Sequence, residues 1–200
     1  MAYTSWSVTF GEQPSSAKWN ILGTNDASFN DGTGFTSGAL GSVNSSLANG
    51  IACQVKYVNY SSLATGTTTI PVDDTIPQNT EGTEFMTLAI TPKSSTNILV
   101  IDVVLFGSND SADRWNVATL FQDSTANALA VGMAYQPAAT APDSILLRHT
   151  MVAGTTSSTT FKVRAGSNNT GTFSFNGSNE ARFFGAAVKS SIVITEYKAT

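Results

Sequence analysis

Charged side chains are scarce in this sequence: Asp, Glu, Lys and Arg make up 12% of its 200 residues, against a usual share of roughly 25%. The ten lysines and arginines are outnumbered by fourteen acidic residues. Nucleic-acid binding needs clustered cations, so we expect no nucleic-acid partner. No apolar run approaches the roughly 18 residues of a membrane helix, and the first residues lack the basic and apolar regions of a signal peptide. We therefore expect no membrane association and no secretory leader.

Cysteine and histidine occur once each, as Cys53 and His149. One cysteine forms neither an internal disulfide nor a multi-thiolate metal site, and Cys53 lies in the apolar run 51–58, where we expect a small buried side chain. His149 shares the alternating face of Leu147 and Met151, which indicates a core position rather than catalysis. With no nucleophile elbow and no phosphate-binding loop in the sequence, we expect no catalytic residue, no cofactor and no metal.

Most acidic residues stand in predicted turns, where carboxylates cap backbone amides or face water. Pairs that could serve glycan hydrolysis are Asp73 with Asp74, Glu81 with Glu84, and Asp110 with Asp113, with Asp123 as a further candidate. Residues 25–32 and 109–113 carry only part of a calcium-loop pattern. Asp102 interrupts an apolar strand, and we expect it to pair with Arg148 or Lys162, or to lie at a polar seam between chains.

The abundant residues are 24 serines and 27 threonines, and this composition favours strands and turns over long helices. Residues 1–50 predict an irregular N-terminal docking segment with one short helix at 14–23, which starts at Pro and Ser and stops at Gly. Residues 51–80, with Pro71 and Pro77, predict an extended connector that could include one strand at 51–58. The docking residues are expected to be the large aromatics Trp6, Phe10, Trp19, Phe29 and Phe35.

Residues 81–200 alternate short apolar runs with turn clusters, which predicts an all-β antiparallel jelly-roll-like β-sandwich. The predicted strands are 84–91, 97–106, 115–122, 128–136, 144–152, 159–165, 171–176, 182–188 and 191–198. Residues 97–106 are apolar on both faces and must be covered twice, by the opposite sheet and by either the N-terminal region or a neighbouring subunit. We expect an oligomer with contacts at Ile98, Val100, Asp102, Val104 and Phe106; that it is a homotrimer is what the resemblance described below implies.

Six aromatic residues on strands or loop edges could be platforms for a sugar ring, although most aromatics of a small β-domain belong to the core. They are Trp115, Tyr135, Phe173, Phe175, Phe183 and Phe184.

Residues 7–20, 82–101, 153–166 and 192–199 resemble stretches of tailed-bacteriophage virion structural proteins of the short tail-fibre, head-fibre and decoration types. The resemblance implies a virion location, a trimeric β-sandwich, other virion proteins of tail, portal or capsid as partners, and no enzymatic step. A host surface glycan is a further candidate partner.

Three functions remain open at this stage: a fibre or attachment module docked by its N-terminus, a capsid decoration or cement protein, and a glycan-cleaving tail enzyme. The enzyme is disfavoured because such depolymerases usually need a long β-solenoid and a carboxylate pair on strands.

Overall fold

Almost all regular structure in residues 50–199 is β-strand. The computed structural model describes residues 50–199, of which residues 52–199 form one compact unit. A single 3₁₀ turn spans Phe184–Ala186, and no helix of the described residues could cross a membrane. The strands are β1 (Ala52–Tyr60), β2 (Ala64–Gly66), β3 (Thr83–Ile90), β4 (Ile98–Asn109), β5 (Arg114–Gln122), β6 (Ala130–Gln136), β7 (Asp143–Val152), β8 (Thr159–Ser167), β9 (Phe173–Phe175), β10 (Gly177–Ser178), β11 (Ala181–Arg182) and β12 (Ser190–Tyr197).

Two antiparallel sheets carry the fold. Sheet 1 has the order β1-β12-β4-β7, and sheet 2 has the order β3-β8-β5-β6. Short strand β9 pairs with the end of β4, and β2 pairs with β9. Two four-stranded sheets, in which only β5 and β6 are neighbours both in space and in sequence, form an eight-stranded jelly roll, which confirms the predicted fold class.

The main core lies between the two sheets because each strand turns alternate side chains inward. From β4 these are Leu99, Ile101, Val103 and Leu105, each at most 1% exposed. Burial stabilises the folded chain by about 1.5–3 kcal/mol for each large apolar side chain. Sheet 2 contributes Met86, Ile90, Ala118, Leu120, Phe161 and Val163.

A buried carboxylate ties three distant segments together at one end of the sandwich. Glu196 of β12 is fully buried, and its carboxylate accepts hydrogen bonds from Asn97 Nδ2 at 2.5 Å and Gln54 Nε2 at 2.6 Å. The backbone amides of Lys93 and Ser94 donate to it at 2.8 and 3.4 Å. Burial alone would raise the pKa of Glu196, but the hydrogen bonds outweigh it and hold the pKa below the ordinary 4.5.

The 51–80 segment, expected as a connector, contributes β1 and β2 to sheet 1. The residues between β2 and β3 are bonded to sheet 2: Ile70 N–H donates to Ser167 O at 2.9 Å. Gly166 permits this approach, because a Cβ there would lie 2.3 Å from the carbonyl oxygen of Thr68.

Two of the sequence expectations differ from the structure, and others fall outside the described residues. The strand predicted at 182–188 is wrong beyond Arg182, because Phe184, Gly185 and Ala186 have positive φ and form the 3₁₀ turn. Cys53 is exposed rather than buried, since the β1–β12 register shifts between Ala52 and Gln54. The helix at 14–23 and the docking aromatics of 1–50 lie outside the described residues.

We predict that Glu196→Gln lowers the free energy of unfolding at pH 7 by about 1.5–3 kcal/mol, the cost of losing hydrogen bonds to a charged acceptor. Because its folded pKa is depressed, Glu196 stabilises the protein above pH 4.5, its ordinary pKa, and this contribution is lost as pH falls through the folded pKa. Thermal unfolding between pH 7 and 3 should therefore show a weaker pH dependence in the variant. The exposed Asp74→Asn is the control, and a variant as stable as the parent at pH 7 would contradict the assigned role.

Candidate functional site

The outer face of sheet 1 is an unusually apolar surface. Its positions alternate with the core positions, and only Asp102 and Arg148 among them are charged. We call this surface the apolar face. Its members are Val55, Tyr57 and Asn59 of β1, Ser191, Val193, Thr195 and Tyr197 of β12, Ile98, Val100, Asp102, Val104 and Phe106 of β4, and Leu146, Arg148, Thr150 and Val152 of β7.

The register aligns these side chains in rows across the four strands. One row runs Tyr57, Val193, Asp102 and Arg148. The outermost apolar side chains are largely exposed: Tyr57 is 68% and Leu146 is 69% exposed. Soluble monomers rarely expose a contiguous apolar surface of this kind, and such surfaces mark interaction sites.

The two lateral edges of the apolar face have different shapes. At the β7 side, Asp102, Val104, Leu146 and Arg148 line a groove of about 360 Å³. At the β1 side, the aromatic ring of Tyr57 stands exposed. The face therefore has a recess at one edge and a protruding ring at the other.

Asp102 and Arg148 form an ion pair in the row between β4 and β7. The hydrogen bond and the negative charge of Asp102 raise the pKa of Arg148 above its ordinary value. Arg148 was one of the two partners expected for Asp102, and Lys162 instead lies near Glu84, at 3.9 Å. The only two charges on the apolar face thus neutralise each other.

An aromatic cluster extends the apolar face at one end. The rings of Phe106 and Phe183 meet edge to face with centroids 6.4 Å apart, and Phe184 lies 6.2 Å from Phe183. Phe184 is 84% exposed and has a φ of 50°. Positive φ is rare and strained for such a bulky residue, so the 3₁₀ turn holds this ring outward at a conformational cost.

All five predicted contact residues share this face, where they are half-buried. Whether they contact another copy stays a prediction. The predicted docking residues Trp6, Phe10, Trp19, Phe29 and Phe35 lie outside the described region.

A second concave region lies on the outer face of sheet 2. It is a cleft of about 250 Å³ that brings together the acidic candidates Glu84 and Asp123 with Lys162 and Arg164. Asp123 accepts hydrogen bonds from Thr159 Oγ1 and from the backbone amide of Thr160, both at 2.8 Å. Both carboxylates are therefore engaged in structural contacts.

Arg164 also fastens the segment before β3, because Nε donates to Glu81 O at 2.8 Å and Nη2 to Gly82 O at 2.7 Å. The planar guanidinium makes this fork, whereas an ammonium group cannot. The cleft is thus a structural junction between β8 and the β2–β3 segment.

The other candidate groups are dispersed. Half-buried His149 lies on the inward face of β7, where burial lowers its pKa. In the 109–113 loop, Asn109 Oδ1 accepts from Ser111 N–H and Asp110 Oδ2 from Thr172 N–H, both at 3.0 Å, which is turn capping. No cluster of metal-ligating residues occurs within residues 50–199.

The six aromatic candidates fall into three groups, of which Phe183 and Phe184 belong to the cluster with Phe106. Phe173 and Phe175 belong to the core, whereas Trp115 and Tyr135 are exposed on sheet 2. Sequence reasoning missed Tyr57 and Leu146, although β-strand alternation would have placed both on outward positions.

We predict that Arg164→Ala lowers the free energy of unfolding by about 1–3 kcal/mol, because two carbonyl acceptors lose their donors. Lys162→Ala is the matched control from the same cleft and should change stability by less than about 0.5 kcal/mol, since its surface ion pair is weak. Chemical denaturation measures both, and equal effects of the two substitutions would rule out the junction.

A family model described as the Pgp3 C-terminal domain matches residues 65–200 of the chain. No curated protein matches. Three solved structures are similar: Eiger TNF from S. frugiperda (TM-score 0.41, 11% identity, 73% of this chain and 94% of that one), the sugar-binding protein EclA C-terminal domain (0.34, 13%, 62% and 76%), and infectious bursal disease virus Gx strain (0.35, 10%, 74% and 37%). At these TM-scores the likenesses carry no further conclusion.

The family match contradicts the resemblance to tailed-bacteriophage virion proteins. The matched model belongs to a chlamydial protein family, so the expected fibre, attachment and capsid-decoration functions, the virion location and the phage partners are wrong. Within the described residues, the stretches 82–101, 153–166 and 192–199 that carried the resemblance consist of strands and Ser/Thr-rich turns, and residues 7–20 lie outside the described residues. Any jelly roll of this composition has that texture, which makes it a poor guide to family.

Proposed function

This chain belongs to the Pgp3 C-terminal domain family, and from that premise we propose that it is a non-enzymatic module that assembles into a homotrimer through the apolar face. The observation that carries the proposal is the composition of that face: four strands of outward side chains with one self-neutralised ion pair. Burying them against other copies removes apolar area from water at about 25 cal/mol per Å².

The number of copies follows from the different shapes of the two edges. In a two-fold dimer, equivalent patches meet, so Tyr57 would face Tyr57 and the groove would face a groove. A head-to-tail contact instead places Tyr57 of one copy in the groove of the next. The smallest closed ring of head-to-tail contacts has three copies.

The ion pair of the apolar face suits a buried interface. Asp102 and Arg148 enter it already paired, so assembly buries no isolated charge. Tyr57 can bring its hydroxyl to this pair, which lines the groove. The pair therefore sets the position of one copy along the next.

Absence of catalysis is part of the proposal. The carboxylates of the cleft on sheet 2 are held by structural contacts, and His149 is half-buried among core residues. We infer that these side chains stabilise the fold and take no part in a reaction.

We predict that Val104→Asp disrupts the trimer, because it places an unpaired charge at the centre of the apolar face. Sedimentation of the parent chain should give three times the 20.9 kDa of one chain, and the variant should give a monomer or aggregate. Val131→Asp, an exposed valine on sheet 2, should leave the trimer intact. A monomeric parent, or an unchanged trimer in Val104→Asp, would refute the assigned face.

We predict that Asp102→Leu weakens assembly more than Asp102→Leu combined with Arg148→Leu. The single change leaves Arg148 unpaired in a buried interface, at a cost of about 3–5 kcal/mol, whereas an apolar pair is close to neutral. Dilution series followed by sedimentation should show dissociation of the single variant at higher concentration. If single and double variants dissociate alike, the pair lies outside the interface.

A further inference from the structure

Sheet 2 carries its own exposed apolar strip, at its β5–β6 edge. Trp115 is 37%, Val131 48%, Met133 54% and Tyr135 47% exposed, whereas Val117 on the same face is 1% exposed. The strip belongs to the opposite sheet from the apolar face, so assembly through sheet 1 leaves it in solvent. The main core forms without these four side chains, and their exposure calls for another explanation.

Trp115 and Tyr135 form the centre of the strip. They stand directly opposite each other in the β5–β6 pairing, with ring centroids 5.1 Å apart and planes at 50°. Because the planes are tilted, the two rings make a shallow V rather than one stacked block. A planar ligand can therefore contact one ring face and the edge of the other.

Hydrogen bonds fix the backbone of Trp115 and the ring of Tyr135. Asn168 Oδ1 accepts from the Trp115 amide at 2.9 Å, and the Asn168 amide donates to Trp115 O at 2.9 Å. Tyr135 donates its hydroxyl to Asp113 Oδ1 at 2.8 Å. This hydrogen bond and the charge of Asp113 raise the pKa of the Tyr135 hydroxyl. Groups fixed in this way bind with a smaller loss of conformational entropy.

Polar groups surround the two rings. Asp113 supplies a carboxylate and has a φ of 54°, a conformation that Asp tolerates better than most residues. Arg114 Nη1 donates to Ala112 O and Asp113 O, and Arg114 Nε is buried with no partner among residues 50–199. Flat apolar rings are thus bordered by both donors and acceptors.

A pyranose ring has the complementary chemistry, since it combines an apolar C–H face with a rim of hydroxyls that donate and accept hydrogen bonds. We propose that the Trp115–Tyr135 pair is a saccharide-binding site, where a neutral hexopyranose stacks on the indole and directs its hydroxyls to Asp113 and Asn168. Aromatic side chains with a polar boundary are the usual material of such sites. Met133 and Val131 continue the strip along β6 and give room for a second sugar unit.

The size of the strip favours a sugar over a protein. A stable protein interface takes about 800 Å² and 20–30 residues from each partner, whereas this strip has four apolar side chains. A single sugar should bind weakly, with a dissociation constant on the order of 1 mM. Several strips on one trimer would strengthen binding to a polyvalent glycan by linking the events.

The test is saturation-transfer NMR on the full chain with the methyl glycosides of glucose, mannose, galactose and N-acetylglucosamine. At least one glycoside should receive saturation on its C–H face protons, and Trp115→Ala should weaken its binding by at least about tenfold, or about 1.4 kcal/mol. Tyr135→Ala and Asp113→Asn should weaken it as well, and Trp115→Phe should retain part of it. Val72→Ala, an exposed valine outside the strip and the apolar face, is the control and should bind within about twofold of the parent.

Each variant is first checked for parental circular dichroism and assembly mass. If Trp115→Ala fails to fold, Trp115→Phe and Tyr135→Ala decide the result. No transfer to any of the four glycosides overturns the proposal, as does undiminished binding in a folded Trp115→Ala. Both results are independent of the assembly test, because the site lies on sheet 2.

Discussion

The double apolar character of β4 is the constraint on which the architecture depends. A strand at the centre of a sheet offers two faces, and in β4 both carry valine, isoleucine, leucine or phenylalanine, with Asp102 as the one charged residue on the outward face. Sheet 2 covers the inward side chains of β4 and completes the sandwich. The outward face has no second sheet over it, and the proposed self-association would bury it for the same hydrophobic reason.

The outer faces of the two sheets differ in their chemistry. Sheet 1 combines an apolar surface with a single neutral ion pair, a chemistry suited to permanent contact between copies. Sheet 2 carries the charged cleft around Arg164 and the bordered rings of Trp115 and Tyr135, a chemistry suited to solvent and to small polar ligands. Because the two surfaces lie on opposite sheets, the proposed assembly would leave the proposed sugar site accessible.

Much of the fold could be predicted from local sequence, because alternation and turn residues report on a single strand and its ends. The expected strand 84–91 is β3 at Thr83–Ile90, and the expected 144–152 is β7 at Asp143–Val152. The strand predicted at 182–188 was wrong because Phe183 and Phe184 are residue types typical of strands. The left-handed backbone around Gly185 is set by tertiary context, which the local sequence does not report.

The candidate sites were predictable only in part. Period-two spacing is enough to place the five proposed contact residues of β4 on one face. The groove, the Glu196 hydrogen bonds and the Trp115–Tyr135 geometry depend on register between separate strands; Glu196 and Gln54 are 142 positions apart. A side-chain pattern within one strand carries no information on such pairs. Family membership was likewise hidden, since the Ser/Thr-rich texture is shared by unrelated jelly rolls.

The pairing of β1 with β12 has a consequence for the connectivity of the chain. Ala52 and Tyr197 are partners in the same ladder, so the polypeptide enters and leaves the sandwich at neighbouring points. A short peptide bridge between these points would close the backbone into a circle with little entropic penalty. The circle could then be reopened in the exposed turn at 156–158, giving a circularly permuted protein in which β8 leads and every strand keeps its neighbours. A folded permutant would show that the strand pairings, and not the position of the chain ends, specify the jelly roll.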